Sequence, residues 1–334
     1  MPHRHQLHRA DWEAVRAIAA RHLGEIARIE RVPSHHNVVC RLRGTNGRRR
    51  VLKLAAMGVQ GPGLTREPRV VELLREREIP TARIDYFDAA GTLVGRPWFL
   101  AADAGRRTAS DASGLSPGNR RELYRAIGRL LAQVHAICFD RPADFSGGEL
   151  VPATFDSSPL RRWHERQVAD AERLGLLRGL DPATLDALLH PGGPENAMNP
   201  THATPGTALA VAPRPVGFSL CHGDYNPAQC VRAGAAVTAV IDWEASHVGD
   251  PLYDLAAFEV MLRVASPRDL ADEAMVGYRE VRPADPALDA AYLPVRLAHA
   301  ASLAAAFHRA RRTGPARAAR LMLSRLATPD AQAA

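Results

Sequence analysis

Two short apolar runs, each ending in an aspartate, follow one another closely between Leu220 and Leu255, in LCHGDYNPAQCVRAGAAVTAVIDWEASHVGDPLYDL. His222-Gly223-Asp224 closes the first run, and Asp242 follows the second, Val237 to Ile241. Short apolar runs bounded by turn residues read as buried strands. The segment therefore demands a fold in which neighbouring elements each deliver a carboxylate from their ends. One carboxylate so placed suits the orientation of an attacking hydroxyl, and the other suits Mg²⁺ held against phosphates.

The ordered set HGD, IDW and GDPLYDLA resembles the aminoglycoside phosphotransferase family, whose H-G-D-x-x-x-x-N, I-D-W and G-D-P-x-x-D-L elements have counterparts at His222, Asp242 and Gly249. The resemblance runs from about Leu23 to Leu326. It implies an α+β, protein-kinase-like bilobal fold, with a small β-rich N-lobe over 1–101 and a larger, mainly α-helical C-lobe over 102–334. It also implies an ATP- and Mg²⁺-dependent O-phosphotransferase, with GTP as the alternative nucleotide, acting on a hydroxyl of a small molecule. An antibiotic of aminoglycoside or related type leads. A kinase for amino alcohols or sugars, and a nucleotide-binding pseudokinase without turnover, are the alternatives.

Carried over residue by residue, Asp224 accepts the proton of the acceptor hydroxyl and Asp242 binds Mg²⁺. His222 holds the loop in shape, and Asp250, Asp254 and Glu244 face substrate or serve the structure. The motif's closing asparagine is replaced by Gln229. Glutamine keeps a carbonyl oxygen for a hard cation but displaces it by about 1.5 Å, one carbon–carbon bond. Mg²⁺ demands near-ideal geometry, so the loop must shift or a water must intervene, with Asn226 as a substitute ligand on the same loop.

An independent pointer comes from the other end of the chain. Of the 43 basic residues, 42 are arginine, and the single lysine is Lys53 in the strand-like run Val51-Leu52-Lys53-Leu54. A compact ammonium on a flexible stem reaches phosphates where a planar guanidinium does not fit. Glu67, on a predicted helix over 65–78 that tolerates Pro68 in its first turn, is placed to pair with it. Ser34 and Asn37 fall where the family has a short loop over the nucleotide, although neither GxGxxG nor a P-loop is present. The run Trp98 to Gly105 reads as a strand leading into a hinge whose backbone at Ala101, Ala102 and Asp103 contacts adenine.

Composition excludes other classes. With 46% hydrophobic and 24% charged residues the chain is globular. No apolar run suffices to cross a bilayer, and the start lacks the apolar core of a signal peptide, so the expectation is a cytoplasmic protein. Cys40, Cys138, Cys221 and Cys230 have no zinc spacing and read as reduced, mostly buried thiols. Residues 1–100 carry 18 basic against 10 acidic side chains, while residues 101–334 carry 25 against 26. That basic excess suits a polyphosphate. Nucleic acid is the competing partner, but aromatics for stacking are few and no nucleic-acid module is present, so the expected partner is a small hydroxylated substrate.

Helices are further predicted over 11–22 with Asp11 as cap, 120–136, 161–179, 182–189, 254–264, 269–278, 290–311 and 316–326. The near-uncharged stretch 190–215 reads as a long flexible loop. His3, His5 and His8 have metal-compatible spacing without carboxylate or cysteine partners. Seven arginines and one acid, Asp330, fall in 290–334. A polycationic acceptor bound there would depend on Glu165, Asp170, Glu172, Glu244 or Glu259.

Overall fold

The computed structural model describes residues 8–34, 37–56, 63–146, 149–152, 169–178, 218–283 and 286–326. The expectations for His3 and His5, Glu165, the helix over 182–189 and the loop over 190–215 lie outside these residues. The chain forms two compact units, one of Met1–Ser116, Ala143–Pro152 and Pro227–His247, the other of Pro117–Pro142, Ala153–Asn226 and Val248–Ala334.

The first unit opens with α1 (Arg9–Leu23). Its cap differs from expectation, because the helix starts two residues before Asp11 and His8 is the N-cap. Asp11 instead sits at the third helical position and accepts from the His8 amide at 2.9 Å, the reciprocal half of a capping box. Strands β1 (Ile26–Val32), β2 (Asn37–Gly44) and β3 (Arg49–Ala55) precede α2 (Gly63–Glu76), and β4 (Ile84–Asp88) and β5 (Trp98–Ala102) follow it. They form one antiparallel sheet in the order β1-β2-β3-β5-β4.

Strand alternation sorts this sheet into two faces. Leu52 and Leu54 of β3, with Trp98 and Leu100 of β5, pack under Val15, Ile18 and Ala19 of α1. Phe99 and Ala101 pack on the other face with Leu64 of α2. Lys53, between Leu52 and Leu54 and opposite Phe99, belongs to that α2 face.

The second unit begins with α3 (Pro117–His135) and the short β6 (Cys138–Phe139). The chain then contributes a hairpin, β7 (Ala143–Ser146) and β8 (Glu149–Pro152), to the first unit. Strand β9 (Phe218–Cys221) pairs with β6 in the second unit and runs into the His222–Asn226 loop. A 3₁₀ turn at Pro227–Gln229 then leads to β10 (Cys230–Ala233) and β11 (Ala236–Val240), an antiparallel hairpin of the first unit. This hairpin is tied down by Val240 N donating to Pro80 O at 2.9 Å and Ala109 N donating to Cys230 O at 2.8 Å.

Helices α4 (Pro251–Ala265), α5 (Arg268–Val281), α6 (Pro286–Arg309) and α7 (Thr313–Leu326) complete the second unit. Alanines 300, 301, 304 and 305 of α6 pack with Ala319, Met322 and Leu323 of α7 and Val260 of α4. Helices α3 and α5 cross at two glycines. A methyl group on Gly128 would stand 1.8 Å from Ala274 O, and one on Gly277 would stand 2.0 Å from Arg125 O.

Candidate active site

In the first unit, β3 presents Lys53 from the α2 face of the sheet. Its ammonium lies 2.8 Å from Glu67 Oε2 on α2, 2.6 Å from Asp242 Oδ1 just after β11, and 2.9 Å from Glu244 Oε2. Lys53 and Glu67 are each only 7% exposed, so these contacts are little screened. Burial alone would favour the neutral amine. Glu67, Asp242 and Glu244 outweigh it and drive the Lys53 pKa well up, so the side chain is a fixed cation. Glu67 is pushed up from the ordinary range by its own burial, and by Asp242 and Glu244, against the pull of Lys53.

Asp242 adopts φ 69° and ψ 53°, a left-handed conformation that costs a non-glycine residue energy. Gln229 Nε2 lies 3.4 Å from Asp242 Oδ2, and Gln229 O accepts from Ile241 N at 3.0 Å, so the turn before β10 and the end of β11 hold each other. Asn37, at the start of β2, donates to Glu244 Oε2 at 2.6 Å, and its own amide faces Ser34 Oγ at 3.4 Å. The segment around Ser34 and Asn37 is thereby fastened to the lysine cluster. Arg66, which the sequence did not single out, fixes Glu244 from behind. It donates to Glu244 O at 2.9 Å and pairs with Asp144 at 2.7 Å.

Carboxylate oxygens of Glu67, Asp242 and Glu244 lie within 4.8 Å of one another. An all-carboxylate donor set suits Mg²⁺, so the carboxylates present fit that cation, while Gln229 turns its amide nitrogen rather than its carbonyl oxygen toward Asp242. At the end of β5, Ala102 N is committed to Arg83 O at 2.7 Å, and Ala101 is paired on both sides, with Val51 and Ile84. The Asp103 carboxylate is taken by Arg41 and by Gly105 N.

In the second unit the His222–Asn226 loop hangs from one buried carboxylate. Asp254, in the first turns of α4, accepts from His222 N at 2.7 Å and Gly223 N at 3.0 Å, and it contacts His135 Nε2 at 3.2 Å. Burial would raise its pKa, but the hydrogen bond and charge of His135, and the His222 amide, pull it down to about 2. His135, at the end of α3, meets Tyr278 O–H through Nδ1 at 2.9 Å, so α4 through Asp254 and α5 through Tyr278 each hold one ring nitrogen. The N-cap of α4 is Asp250, with Leu252 N donating to Asp250 Oδ1 at 2.9 Å.

Buried His222 accepts from the Asp224 amide at Nδ1, 3.3 Å away, and packs edge-on against Tyr225. Gly223 needs its φ of 82° to turn the chain here. The result is an exposed Asp224 on a loop whose His222, Gly223 and Asp224 amides are all bonded, with Asn226 Nδ2 donating to Asp224 O at 2.9 Å and to Asp224 Oδ1 at 3.3 Å. Acids further along the unit are already engaged. Buried Glu259 accepts from Tyr292 at 2.7 Å and pairs with Arg263 at 2.7 Å and Arg296 at 2.9 Å. Asp170 is held by Arg173 and Arg309, while Glu172 is exposed.

The model of the phosphotransferase enzyme family, APH, matches residues 28–288. The chain belongs to this family. It shares its kinase-like α+β fold with a thermostable mutant of aminoglycoside phosphotransferase APH(4)-Ia, solved as a ternary complex with ADP and hygromycin B. The TM-score is 0.61 at 14% identity, over 94% of this chain and 98% of that one. A GDP complex of aminoglycoside 2'-phosphotransferase-IIIa aligns with TM-score 0.57 and 14% identity, over 94% and 96% of the two chains. Macrolide 2'-phosphotransferase MphH from Brachybacterium faecium aligns with TM-score 0.50 and 18% identity, over 92% and 97%.

Among curated proteins, the chain is 24% identical over 197 residues to acyl-CoA dehydrogenase family member 10 of Mus musculus. It covers 16% of that protein's length with 58% of its own. No helix among the described residues is long and apolar enough to cross a membrane.

Proposed function

We propose that this family member transfers the γ-phosphoryl group of ATP to a hydroxyl of a small molecule, with Mg²⁺ as cofactor. The observation that carries the reading is the Lys53 cluster. One lysine survives among 42 arginines, and it is the residue on which Glu67, Asp242 and Glu244 converge. In the proposed roles Glu67 holds Lys53 toward the phosphates, and nucleotide phosphates replace Asp242 and Glu244 as its partners. Asp242 and Gln229 would hold Mg²⁺, which when bound neutralises phosphate charge. Ser34 and Asn37 would cover the phosphates. Adenine would meet the backbone at Asp103 and Ala104, since Ala101 and Ala102 are already paired within the sheet.

Asp224 accepts the hydroxyl proton as the new oxygen–phosphorus bond forms and the bond to the β-phosphate oxygen breaks, releasing ADP. His222 and Asp254 position it through the loop backbone. GTP remains the alternative donor.

For the acceptor, an antibiotic of aminoglycoside or related type follows from the proteins that share the fold. A neutral metabolite alcohol, such as a sugar, has an observation of its own: Glu259 and Asp170 are already paired with arginines and are poorly available to a polycation. The test is incubation with Mg·ATP or Mg·GTP and a panel of aminoglycosides, macrolides, amino alcohols and sugars, read by mass spectrometry for the gain of one phosphate. Asp224→Asn serves as control, expected to keep nucleotide affinity while losing most turnover. Nucleotide binding without phosphorylation of any acceptor would leave the pseudokinase reading, and full turnover by Asp224→Asn would remove Asp224 from the chemistry.

A further inference from the structure

A second basic cluster lies on the α1 face of the five-stranded sheet, away from Lys53. Arg50 alternates with Leu52 and Leu54, which pack under α1, whereas Lys53 belongs to the opposite face. A bulge in β4 adds Tyr86 to the same side. Ile84 opposes Ala101, but Tyr86 opposes Leu100, so the extra residue reverses the alternation and turns Tyr86 onto the α1 face. There its ring stacks obliquely on His22 in the last turn of α1, centroid to centroid 4.3 Å. These residues, with Arg48, Arg83 and Asp85, line a cavity of about 520 Å³.

The charge in this cavity is unbalanced. Asp85 braces two guanidinium groups, taking Arg83 Nε at 2.7 Å on one oxygen and Arg50 on the other. Arg48 is exposed and, among the described residues, forms no ion pair. Three arginines thus face one carboxylate. The partial negative charge at the C-terminal end of α1 offsets only part of that excess. Burial, and then Arg21, lower the His22 pKa, so its ring is neutral at pH 7 and available for stacking.

Guanidinium forks recognise phosphate oxygens, and an aromatic wall accepts a flat ring. We infer that this cavity binds a phosphate monoester bearing an aromatic ring, at a site distinct from the phosphoryl-transfer residues. The bulged strand holds Tyr86 and Asp85 in place before the ligand arrives, and Asp85 holds Arg50 and Arg83, so the ordering required on binding falls mainly on Arg48.

Phenyl phosphate titrated into the full chain, followed by calorimetry and by NMR of the arginine Nε–H groups, tests the site. Saturable binding is expected, with shifts at Arg48, Arg50 and Arg83. Arg48→Ala and Arg83→Ala, both at exposed side chains, should each weaken it about tenfold, the loss of one charge-assisted contact. Lys53→Ala should leave it within about twofold, since that side chain belongs to the other face. Tyr86→Ala should weaken phenyl phosphate but not inorganic phosphate. Binding that disappears in Lys53→Ala and survives the arginine variants would overturn the inference, as would the absence of saturable binding to the wild type. Equal affinity for phenyl and inorganic phosphate would overturn the ring-bearing ligand class. Each result is independent of whether any acceptor is phosphorylated.

Discussion

Lys53 is surrounded by more negative charge than it neutralises, and the consequences can be measured one residue at a time. Lys53→Met removes the cation that, among the described residues, joins Glu67, Asp242 and Glu244, and a broken buried ion pair typically costs about 3–5 kcal/mol. Millimolar Mg²⁺ should restore more stability to this variant than to the wild type, and urea titrations with and without the cation will show it. Asp254 offers a pH test of the loop beneath Asp224. Its pKa in the fold, about 2, lies below the ordinary value of 3.8. Its contribution is therefore complete above about pH 4 and is lost as pH falls toward 2, amounting to roughly 2 kcal/mol. His135, whose pKa is lowered by burial, adds a loss of the same sign that begins below its ordinary value near pH 6.5. Asp254→Asn turns one of the two accepting oxygens into a donor facing a backbone N–H, and should cost about 2–4 kcal/mol at pH 7. The stability curves of variant and wild type should converge below pH 3; curves that stay parallel would mean that Asp254 carries no charge in the fold.

The crossing of α3 and α5 is the most demanding contact between elements, because both Gly128 and Gly277 lack the side chain that would collide with the facing helix backbone. Gly128→Ala gains about 1 kcal/mol of helix propensity but forces the helices apart, so a net loss of about 2–3 kcal/mol is expected from calorimetry. A variant as stable as the wild type would show that the helices separate freely. Neither glycine was legible as a contact, since a glycine within a periodic helix carries no sign of its partner. The helices themselves were legible, because Leu123, Ile127, Leu131 and Val134 repeat at core spacing and all four are buried. Boundaries were less so: α1 begins at Arg9 and not at Asp11, because a capping box places its acid inside the helix. Within the candidate site, Lys53 and Glu67 stood out by residue type and spacing. Arg66 did not, since one arginine among 42 looks like any other until its contacts with Glu244 and Asp144 are seen. The role of Asp254 as anchor of the His222–Asn226 loop also depends on a contact 32 residues away along the chain, which no local pattern encodes.

Charge distribution over the whole chain separates nucleotide binding from metal binding in a way that bulk stability can report. The net charge is +7, and the first hundred residues carry more than all of it. Long-range attraction therefore favours a polyphosphate approaching those residues at low salt and fades as ionic strength rises. At the Lys53 cluster itself the sign reverses, because three carboxylates share one ammonium. A bare polyphosphate must meet Asp242 and Glu244 there, whereas one carrying a divalent cation brings the charge that those carboxylates lack. Mg·ATP at a hundred times its dissociation constant should stabilise the protein by about 2.7 kcal/mol. For a chain of this length that corresponds to a rise of about 4 °C in the melting midpoint. The same ATP concentration with EDTA should give less than about half that rise. Glu244→Gln, which removes one of the opposing charges, should narrow the gap between the two conditions. Thermal melts of wild type and Glu244→Gln in ATP, with Mg²⁺ or with EDTA, decide the matter: an equal rise with and without the cation in the wild type would mean that Asp242 and Glu244 do not oppose the phosphates.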